Sequence, residues 1–561
     1  MKIPNIWGQG QIFAFSALDG KTSRKEDFSG LLAGDRVGVR FNTKVRRELA
    51  VVGYRTSEMT FRAVCGDYIC ADTEVGSIKI LFYTAHSVIG EVPEGAVAAV
   101  FTEGIHKTEH VDNVEIHDTG DGEYTALLMK EKKFAFSYAQ TKEEAVLLAQ
   151  EGIKADIEAE EEKKIDYYKK YSTAKKHELL YSKCLSVMKT QLYSPEDVFK
   201  TIWSTPDRLP HQDLWLWDSV FHAIGFRNVE GKIAEDLILS MLDARLPDGR
   251  IPCRTRITKD GIVVSPSESQ PPIIAWGVWK VYQKTGNKEF LNRAFEENTI
   301  FLNWCKENRM YSDGLYAWRV NERSSECRCG ECGMDNSPRF DGTKHLLAID
   351  FSCFMANEMR YMTKIAKELG KDSNFFEKEF NCLKEAINTK LWDEESGYYF
   401  DYDADRNRIH KVKSVASFLP LFVGVCDEKR AAKLVEKLTD KNEFCCEFPI
   451  PSVAVSDETF GTDMWRGPVW INYNYMICEG LSEYGYEELA QKITEKTVSV
   501  VEEWYEKNGT IYEFYDCENK KLPSKLTRKG DTIEPYDPRV RVQTIRDYGW
   551  SCCLTLDMIA N

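Results

Sequence analysis

From residue 173 to its end, the chain alternates helical segments with long polar loops. Apolar residues at helical spacing indicate about twelve helical segments, and loops rich in polar residues, glycine and proline separate alternate pairs of them. This arrangement fits six helical hairpins closed into an (α/α)6 barrel. The alternative is an open helical solenoid, although no fixed-period repeat is seen. The predicted segments are 176–192, 217–228, 230–245, 270–285, 288–307, 346–369, 373–391, 412–422, 427–439, 467–483, 487–507 and 546–560.

The region before the helical part follows a different pattern. Residues 1–140 contain short apolar or alternating runs broken by Gly, Asp and Asn turns, which predicts an antiparallel β-sandwich-like domain. No catalytic constellation is evident there, so a structural or substrate-flanking role is expected. Residues 141–172 change to Glu, Lys and Ala at helical spacing, which predicts a solvated linker helix. The predicted catalytic domain is 173–561.

Length, charge and cysteine content narrow the class of protein. A chain of 561 residues exceeds one ordinary core, so two domains are expected. The 74 basic and 89 acidic residues are mixed and give a net charge of −15, which disfavours a nucleic-acid partner. No membrane-spanning run or secretion signal is evident, and seventeen cysteines, an odd number, do not suggest a disulfide framework. We therefore expect a cytoplasmic protein without a membrane partner.

The stretch Glu-Cys-Gly-Met-Asp-Asn-Ser-Pro-Arg at residues 331–339 predicts a rigid turn. Gly333 favours a turn, and Pro338 prevents helix continuation. The turn holds Asp335 at its centre and precedes a long amphipathic pattern. Asp335 or Ser337 could simply cap the following helix, or Asp335 could carry out chemistry.

Aromatic and acidic residues meet at a predicted loop-to-helix boundary near residue 215. Trp215 and Trp217 stand beside Asp213 and Asp218. The carboxylates could serve only as helix caps. Together with the two indole rings, they also suit a pyranose, because rings cover the apolar face of a sugar and carboxylates accept its hydroxyls.

Two further loops end at predicted helix starts. Gln270 directly precedes paired prolines, and Trp276 follows within the helix. A second loop ends in Trp465 and Arg466, with Trp470 just beyond Pro468. An arginine supplies a fixed fork of donors that can bind a carboxylate.

A glutamate amid aromatic residues stands out near the end of the chain. Glu513 lies within Tyr-Glu-Phe-Tyr, where desolvation would raise the pKa of a carboxyl group. A glutamate on an edge strand facing water is the other interpretation. The chain closes with Tyr-Gly-Trp-Ser, which brings Trp550 to the start of the last helix.

These motifs, in this order, resemble those of glycoside hydrolase family 63. That family contains α-glucosidases and mannosylglycerate hydrolases and is related to trehalases and glucoamylases. The resemblance covers about residues 200–561 and implies an (α/α)6 barrel and an inverting mechanism. It implies that Asp335 is the general acid and Glu513 the general base. One departure is Cys332, where a serine is more usual. The resemblance also implies sugar contacts at Trp217, Asp218, Gln270, Trp465 and Arg466.

Inverting hydrolysis needs a protonated carboxyl group at the leaving oxygen and a carboxylate that activates water, roughly 6.5–9.5 Å apart. Residues 335 and 513 would meet only in a closed barrel, and Glu331 or a dry pocket could keep Asp335 protonated. We therefore predict a cofactor-independent, inverting α-glycosidase that acts on short α-glucosides. The predicted substrate-binding residues are Trp215, Trp217, Asp218, Gln270, Trp276, Arg339, Trp465, Arg466, Trp470 and Trp550.

Three other functions remain open from sequence. A mannosylglycerate or glucosylglycerate hydrolase would need a cationic pocket for the glycerate carboxylate, which Arg254, Arg256 and Arg339 could supply. A sugar epimerase would call for a histidine pair in place of carboxylates. A non-catalytic sugar-binding protein would leave both candidate carboxylates without a role. The sugar, the linkage and the oligomeric state stay open.

A bound metal is not predicted. Cys327, Cys329 and Cys332 could bind a soft metal ion, but a second ligand cluster at zinc spacing is missing. The stretch 401–405 is calcium-like, yet Arg406 stands where such a loop needs glycine.

Overall fold

A computed structural model of the protein describes most of the chain, and the remainder, including much of the predicted β-rich region before residue 59, lies outside the described residues. The described part divides into two compact units. The first comprises residues 1–196, 207–212 and 504–510, and the second comprises 197–206, 213–503 and 511–561. The described residues are 15–24, 59–101, 107–120, 122–172, 176–207, 210–321, 323, 324, 326–533, 536 and 540–561, together with the strands before residue 52 that are given below.

The first unit is built on antiparallel strands. Its described strands are β1 Ile12–Phe13, β2 Gly30–Ala33, β3 Val37–Arg40, β4 Ala50–Val51, β5 Thr60–Cys65, β6 Tyr68–Thr73, β7 Gly76–Thr84, β8 Ser87–Glu91, β9 Val100–Phe101, β10 Lys107–Val111, β11 Val114–Asp118, β12 Tyr124–Lys130, β13 Lys133–Ala139 and β14 Leu192–Tyr193. Eight of them form one sheet in the order β10-β11-β12-β13-β8-β7-β6-β5. A sheet-containing N-terminal region is therefore confirmed.

Residues 141–196 belong to the first unit, beyond the predicted domain end at residue 140. They form α1 Lys142–Gly152, α2 Ile157–Tyr171 and α3 Glu178–Thr190. The expected solvated linker is wrong for α1, because Ala145 and Ala149 are buried in one apolar cluster with β-strand residues such as Val114 and Ile116. The charged residues of this stretch hid the small apolar face that packs on the sheet.

The second unit is mainly helical. It contains α4 Leu216–Phe226, α5 Gly231–Asp243, α6 Ile274–Thr285, α7 Lys288–Arg309, α8 Ile349–Glu368, α9 Asn374–Lys390, α10 Leu419–Val423, α11 Glu428–Thr439, α12 Ile471–Glu483, most of α13 Glu487–Asn508, and α14 Gly549–Ala560. Short strands lie in its loops: β15 Trp203–Ser204, β16 Leu214–Trp215, β17 Arg254–Thr258, β18 Gly261–Val264, β19 Leu346–Leu347, β20 Trp392–Asp393, β21 Tyr398–Tyr399, β22 Asp401–Asp403 and β23 Arg408–His410. Each of the twelve predicted helical segments corresponds to one of the helices α3 to α14. No helix in the described part of the chain combines the length and apolar content needed to cross a membrane.

Alternate helices of the second unit pack on one another in sequence. The contacts run from α4 to α6, α8, α10, α12 and α14, and α14 packs back against α4. The last contact requires a glycine, because a Cβ atom added to Gly225 would lie 2.7 Å from Cβ of Cys553. The first and last helices of the unit are thereby neighbours, although most of the unit's sequence separates them.

Glu358 of α8 is a fully buried carboxyl group that joins three helices. It accepts hydrogen bonds from the backbone nitrogen of Ala275 in α6, at 2.8 Å, and from Nδ2 of Asn298 in α7, at 2.6 Å. Burial raises the pKa of Glu358 from 4.5 to about 7, although the hydrogen bonds from Asn298 and Ala275 lower it. Folding therefore favours the protonated form between these two values.

We expect Glu358→Gln to remove a pH-dependent loss of stability. A carboxyl group whose pKa rises on folding stabilises the fold below the unfolded pKa, and this contribution is lost as the pH rises through the folded pKa. The loss for Glu358 is about 3 kcal/mol between pH ~4 and pH ~8. Calorimetry should show the melting temperature of the variant rising relative to wild type as the pH increases. Exposed Glu289→Gln on α7 is the control, and a pH-independent difference for Glu358→Gln would contradict the prediction.

Candidate active site

The turn at residues 331–339 packs directly against the tryptophan of α4. Gly333 has a φ of +76°, and a Cβ atom there would lie 2.3 Å from Cζ2 of Trp217. Both the backbone conformation and the close ring contact therefore require glycine. Glu331 is buried and anchors the turn, because its carboxylate accepts from Nη2 of Arg309 at 2.8 Å and from the backbone nitrogen of Ser269 at 2.9 Å.

Asp335 is one-fifth exposed at the tip of this turn. Its Oδ2 lies 2.7 Å from Nζ of Lys529. Burial raises the pKa of the Cys327 thiol to about 12, with the carboxylate of Asp335 as the next cause, so this thiol lies close to Asp335 as well. The backbone carbonyl of Asp335 accepts from the backbone nitrogen of Arg328 at 2.8 Å. The turn thus presents the carboxylate beside a cation while its backbone is fixed.

Glu513 is fully buried and paired with one arginine. Nε of Arg528 lies 2.9 Å from Oε2 of Glu513, and Nη2 of Arg528 lies 3.1 Å from Oε1. Burial lowers the pKa of Arg528, but the carboxylate of Glu513 outweighs this effect and the net shift is upward. The backbone nitrogen of Glu513 donates to the carbonyl of Ile545 at 2.9 Å. A bidentate guanidinium therefore orients this carboxylate and compensates its charge.

Two consecutive residues, Arg528 and Lys529, connect the two candidate carboxylates. Lys529 contacts Asp335, and Arg528 contacts Glu513. Two carboxylates that lie far apart along the chain are thereby brought to one short loop. The sequence analysis missed both basic residues. An available signal was the adjacent basic pair before a Gly-Asp turn at residues 530–531, shortly after Glu513.

Asp463 holds this loop against the turn at residues 331–339. Its Oδ2 accepts from Nδ2 of Asn336 at 2.9 Å and from the backbone nitrogen of Gly530 at 3.1 Å. Oδ1 of Asn336 in turn accepts from the backbone nitrogen of Trp465 at 3.0 Å. The loop ending in Trp465 is therefore part of the same cluster.

Asp218 and Gln270 lie next to the same cluster. Burial raises the pKa of the Cys253 thiol, and the carboxylates of Asp335 and Asp218 raise it further. The hydroxyl of Tyr548 lies 3.5 Å from Oδ1 of Asp218. Oε1 of Gln270 accepts from the backbone nitrogen of Trp217 at 3.2 Å and thus bonds the first turn of α4.

Four predicted tryptophans form one contiguous aromatic cluster. Trp465 stacks on Trp470 with 3.8 Å between ring centroids, and Trp550 contacts Trp470 at 5.7 Å and Trp217 at 5.1 Å. Nε1 of Trp470 donates to the carbonyl of Met464. Within the described residues, the buried Nε1 atoms of Trp465 and Trp550 have no acceptor. Such donors suit a ligand that brings its own oxygen atoms.

Arg339 and Trp276 do not have the free groups that the predicted roles require. Arg339 is fully buried, and its guanidinium makes bidentate pairs with both Asp350 and Asp401 at 2.7–2.9 Å. It retains no donor for substrate, so its assignment as a substrate-binding residue is wrong. Trp276 is fully buried in the helical core, and its Nε1 donates to Glu479.

The other predicted arginines also pair with carboxylates but remain partly exposed. Arg466 places Nη2 2.8 and 2.7 Å from the two oxygens of Asp341. Arg254 and Arg256 both contact the buried carboxylate of Asp213, and each is about one-third exposed. Two cations on one carboxylate leave a net positive charge. Trp215, also partly exposed, pairs with Arg254 between β16 and β17.

The cysteines at residues 327–332 do not form a ligand cluster. Cys332 donates its thiol hydrogen to the carbonyl of Cys329 at 3.1 Å and accepts from the backbone nitrogen of Met334 at 3.1 Å. Neither these two cysteines nor Cys327 belongs to a group of three ligand atoms within 4.8 Å of one another among the described residues. They act as part of the turn.

Comparisons with known proteins agree with the motifs. The family model of the mannosylglycerate hydrolase MGH1-like glycoside hydrolase domain matches residues 210–551. The chain is 31% identical over 407 residues to a mannosylglycerate hydrolase of Rubrobacter radiotolerans, covering 55% of this chain and 86% of the relative. It is 26% identical over 381 residues to that of Thermus thermophilus, covering 52% of this chain and 86% of the relative.

A solved structure extends the likeness to the fold. The GH63 mannosylglycerate hydrolase from Thermus thermophilus, in complex with Tris, gives a TM-score of 0.56 at 22% identity. The match covers 67% of this chain and 99% of that chain. The chain is therefore a glycosidase that belongs to the mannosylglycerate hydrolase MGH1-like family, within glycoside hydrolase family 63.

Proposed function

We propose that the second unit is an (α/α)6 barrel that hydrolyses an α-glycosidic bond with inversion. The sequence of contacts α4–α6–α8–α10–α12–α14, which returns to α4, supports a closed inner ring of six helices. The outer partners within this unit are then α5, α7, α9, α11 and α13. The long loops between hairpins carry Asp335, Asp463, Glu513 and Lys529, in keeping with a site at one end of the barrel.

Asp335 is proposed as the general acid and Glu513 as the general base. The observation that carries this assignment is the pair Arg528 and Lys529, which joins the two carboxylates through one loop. Asp335, on the more accessible side, would protonate the leaving oxygen. Glu513, oriented by Arg528, would take a proton from the water that attacks the anomeric carbon from the opposite face. Inversion follows because this single displacement forms no covalent intermediate with the enzyme.

The side chains around the two candidate carboxylates suit a sugar. The Nε1 atoms of Trp465 and Trp550 would donate to substrate oxygens, and the ring cluster would cover apolar sugar faces. The carboxylate of Asp218 would accept sugar hydroxyls beside Tyr548. These residues would hold the sugar whose bond is cleaved.

We propose mannosylglycerate or glucosylglycerate as the substrate. The leaving group protonated by Asp335 would then be a glycerate, and its carboxylate could accept a bond from Lys529, which is 2.7 Å from Asp335. The names of the relatives from Rubrobacter and Thermus support the same substrate class.

A short neutral α-glucoside is the second candidate, because the family also contains α-glucosidases.

The exposed surplus charge on Arg254 and Arg256 offers a different cationic site for glycerate. The two substrate classes, and the two cationic sites, can be separated by experiment.

Proton NMR of hydrolysis in progress tests reaction and substrate together. The panel would contain mannosylglycerate, glucosylglycerate, maltose and methyl α-glucoside. We expect β-sugar to appear first from a glycerate conjugate, followed by slow mutarotation. Early α-anomer would contradict inversion. Equal rates on maltose would favour the neutral substrate over the glycerate conjugate.

Lys529→Met should weaken recognition of a glycerate leaving group. We expect KM for the glycerate conjugate to rise by about tenfold or more, since one charge-assisted bond is lost. KM for a neutral aryl α-glycoside should stay within about twofold, and Lys529→Arg should retain most of the affinity for glycerate.

Lys521→Met, which removes an exposed lysine nearby, is the matched control for that measurement. Arg254→Met serves as the competing variant. If KM for the glycerate conjugate rises in Arg254→Met and not in Lys529→Met, glycerate recognition belongs to the arginine pair instead.

A further inference from the structure

Two cysteines and a glutamate from separate loops converge in the second unit. The Sγ atoms of Cys446 and Cys517 and a carboxylate oxygen of Glu518 lie within 4.8 Å of one another. Cys446 belongs to the loop between α11 and α12, whereas Cys517 and Glu518 follow the segment that carries Glu513. Within the described parts of the chain, no other three Cys, His, Asp or Glu ligand atoms come this close.

The backbone holds these side chains together. The backbone nitrogen of Phe448 donates to the carbonyl of Cys517 at 2.8 Å, which joins the two loops directly beside the thiols. Two residues earlier, Tyr515 exchanges both backbone hydrogen bonds with Val469, at 2.8 and 3.1 Å. Main-chain pairing therefore holds the backbones of the two loops next to each other beside the thiols.

The set of donor atoms fits Zn²⁺. Two thiolates at about 2.3 Å from a tetrahedral ion are about 3.8 Å apart, so adjustments of about 1 Å would complete the geometry. Thiolates are soft ligands that Ca²⁺ and Mg²⁺ do not prefer. Three protein ligands leave one position for a water molecule, an arrangement that zinc accepts.

Access to the cluster is also suitable. Cys517 is buried, Cys446 is partly buried and Glu518 is exposed, so an ion could enter from solvent and bind above the buried sulfur. Oε2 of Glu518 lies 3.1 Å from Nζ of Lys520, in an exposed pair. Such a pair contributes little, so the carboxylate can turn to a metal ion at small cost.

We propose that Cys446, Cys517 and Glu518 form a Zn²⁺ site that joins the two loops. On binding, each thiol transfers its proton to solvent and coordinates as a thiolate. Because Cys517 lies four positions after Glu513, a bound ion would hold the segment that carries the candidate base. The site itself is independent of the glycosidase assignment, since its ligands and its occupancy can be measured without any substrate.

Titration of the reduced, full-length protein with Cd²⁺ tests the site directly, because thiolate coordination gives a charge-transfer absorption in the ultraviolet. We expect one Cd²⁺ per chain, displaced by one Zn²⁺. Cys446→Ser should weaken binding by about 100-fold, and Glu518→Gln by about tenfold. Cys446 is the residue to replace first, because it is only partly buried and the change replaces a single atom.

Cys382→Ser is the matched control, since Cys382 is an exposed thiol on α9 outside the cluster. The melting temperature of the wild-type protein should rise by about 2 °C when Zn²⁺ is in about hundredfold excess over its Kd, and that of Cys446→Ser should not. Cd²⁺ stoichiometry and affinity that are unchanged in Cys446→Ser, or lost equally in Cys382→Ser, would overturn the proposal.

Discussion

Asp335→Asn is expected to lower kcat for a glycerate conjugate by about 10³-fold. The glycerate oxygen is a poor leaving group, so departure without proton donation is slow. An asparagine keeps the shape of the side chain and its contact with Lys529 but has no acidic proton. The phenolate of an aryl glycoside and the fluoride of a glycosyl fluoride leave without protonation. The same variant should therefore retain most of its activity on these substrates. The loss should therefore depend on the leaving group.

Glu513→Gln should lower kcat by a similar factor on every substrate. The attacking water needs a base whichever group leaves, so an activated leaving group gives no rescue. Initial-rate kinetics on a glycerate conjugate and on the matching glycosyl fluoride measure both variants side by side. Asp260→Asn, in the exposed turn between β17 and β18, is the control. Near-normal rates in either variant would contradict the assignment. If the rate loss of Glu513→Gln depended on the leaving group and that of Asp335→Asn did not, the two roles would be reversed.

Local patterns in the sequence were sufficient to predict the helices after residue 173. Apolar spacing locates all twelve helical segments from α3 to α14, because each helix buries one stripe of its own side chains. The turn around Asp335 could also be predicted, because Gly333 and Pro338 restrict the backbone independently of long-range contacts. The same local patterns led to a wrong linker at residues 141–172, where Ala145 and Ala149 are too small to reveal a buried face within a charged run.

Long-range pairing explains what the sequence did not reveal about the site. Arg339 was predicted to supply a cation for a glycerate carboxylate, yet Asp350, Asp401 and the sulfur of Met334 take all of its donors. Lys529 and Arg528 were missed because an adjacent basic pair does not by itself show which carboxylates it will meet in the fold. A motif therefore identified the candidate carboxylates, while the charges that control them required the folded structure.

Arg528→Met is expected to destabilise the protein strongly as well as to impair catalysis. Removing one member of a buried ion pair leaves the other charge uncompensated, at a cost of about 3–5 kcal/mol. Glu513 is fully buried, and Arg528 bonds both of its oxygens. Glu513 also loses the two contacts that orient it, so kcat should fall on every substrate. Calorimetry and initial-rate kinetics measure the two effects.

A double variant separates this effect from simple loss of packing. The Glu513→Gln substitution removes the charge at position 513. Adding it to Arg528→Met should therefore reverse part of the decrease in melting temperature that Arg528→Met causes. Arg62→Met breaks a pair with Asp72 in which both side chains are about half exposed, and it should cost about 1 kcal/mol or less. If the double variant melts below Arg528→Met, the arginine acts mainly through packing, and its role in compensating the charge of Glu513 is wrong. If it melts above, the charge of Glu513 is the quantity that Arg528 controls.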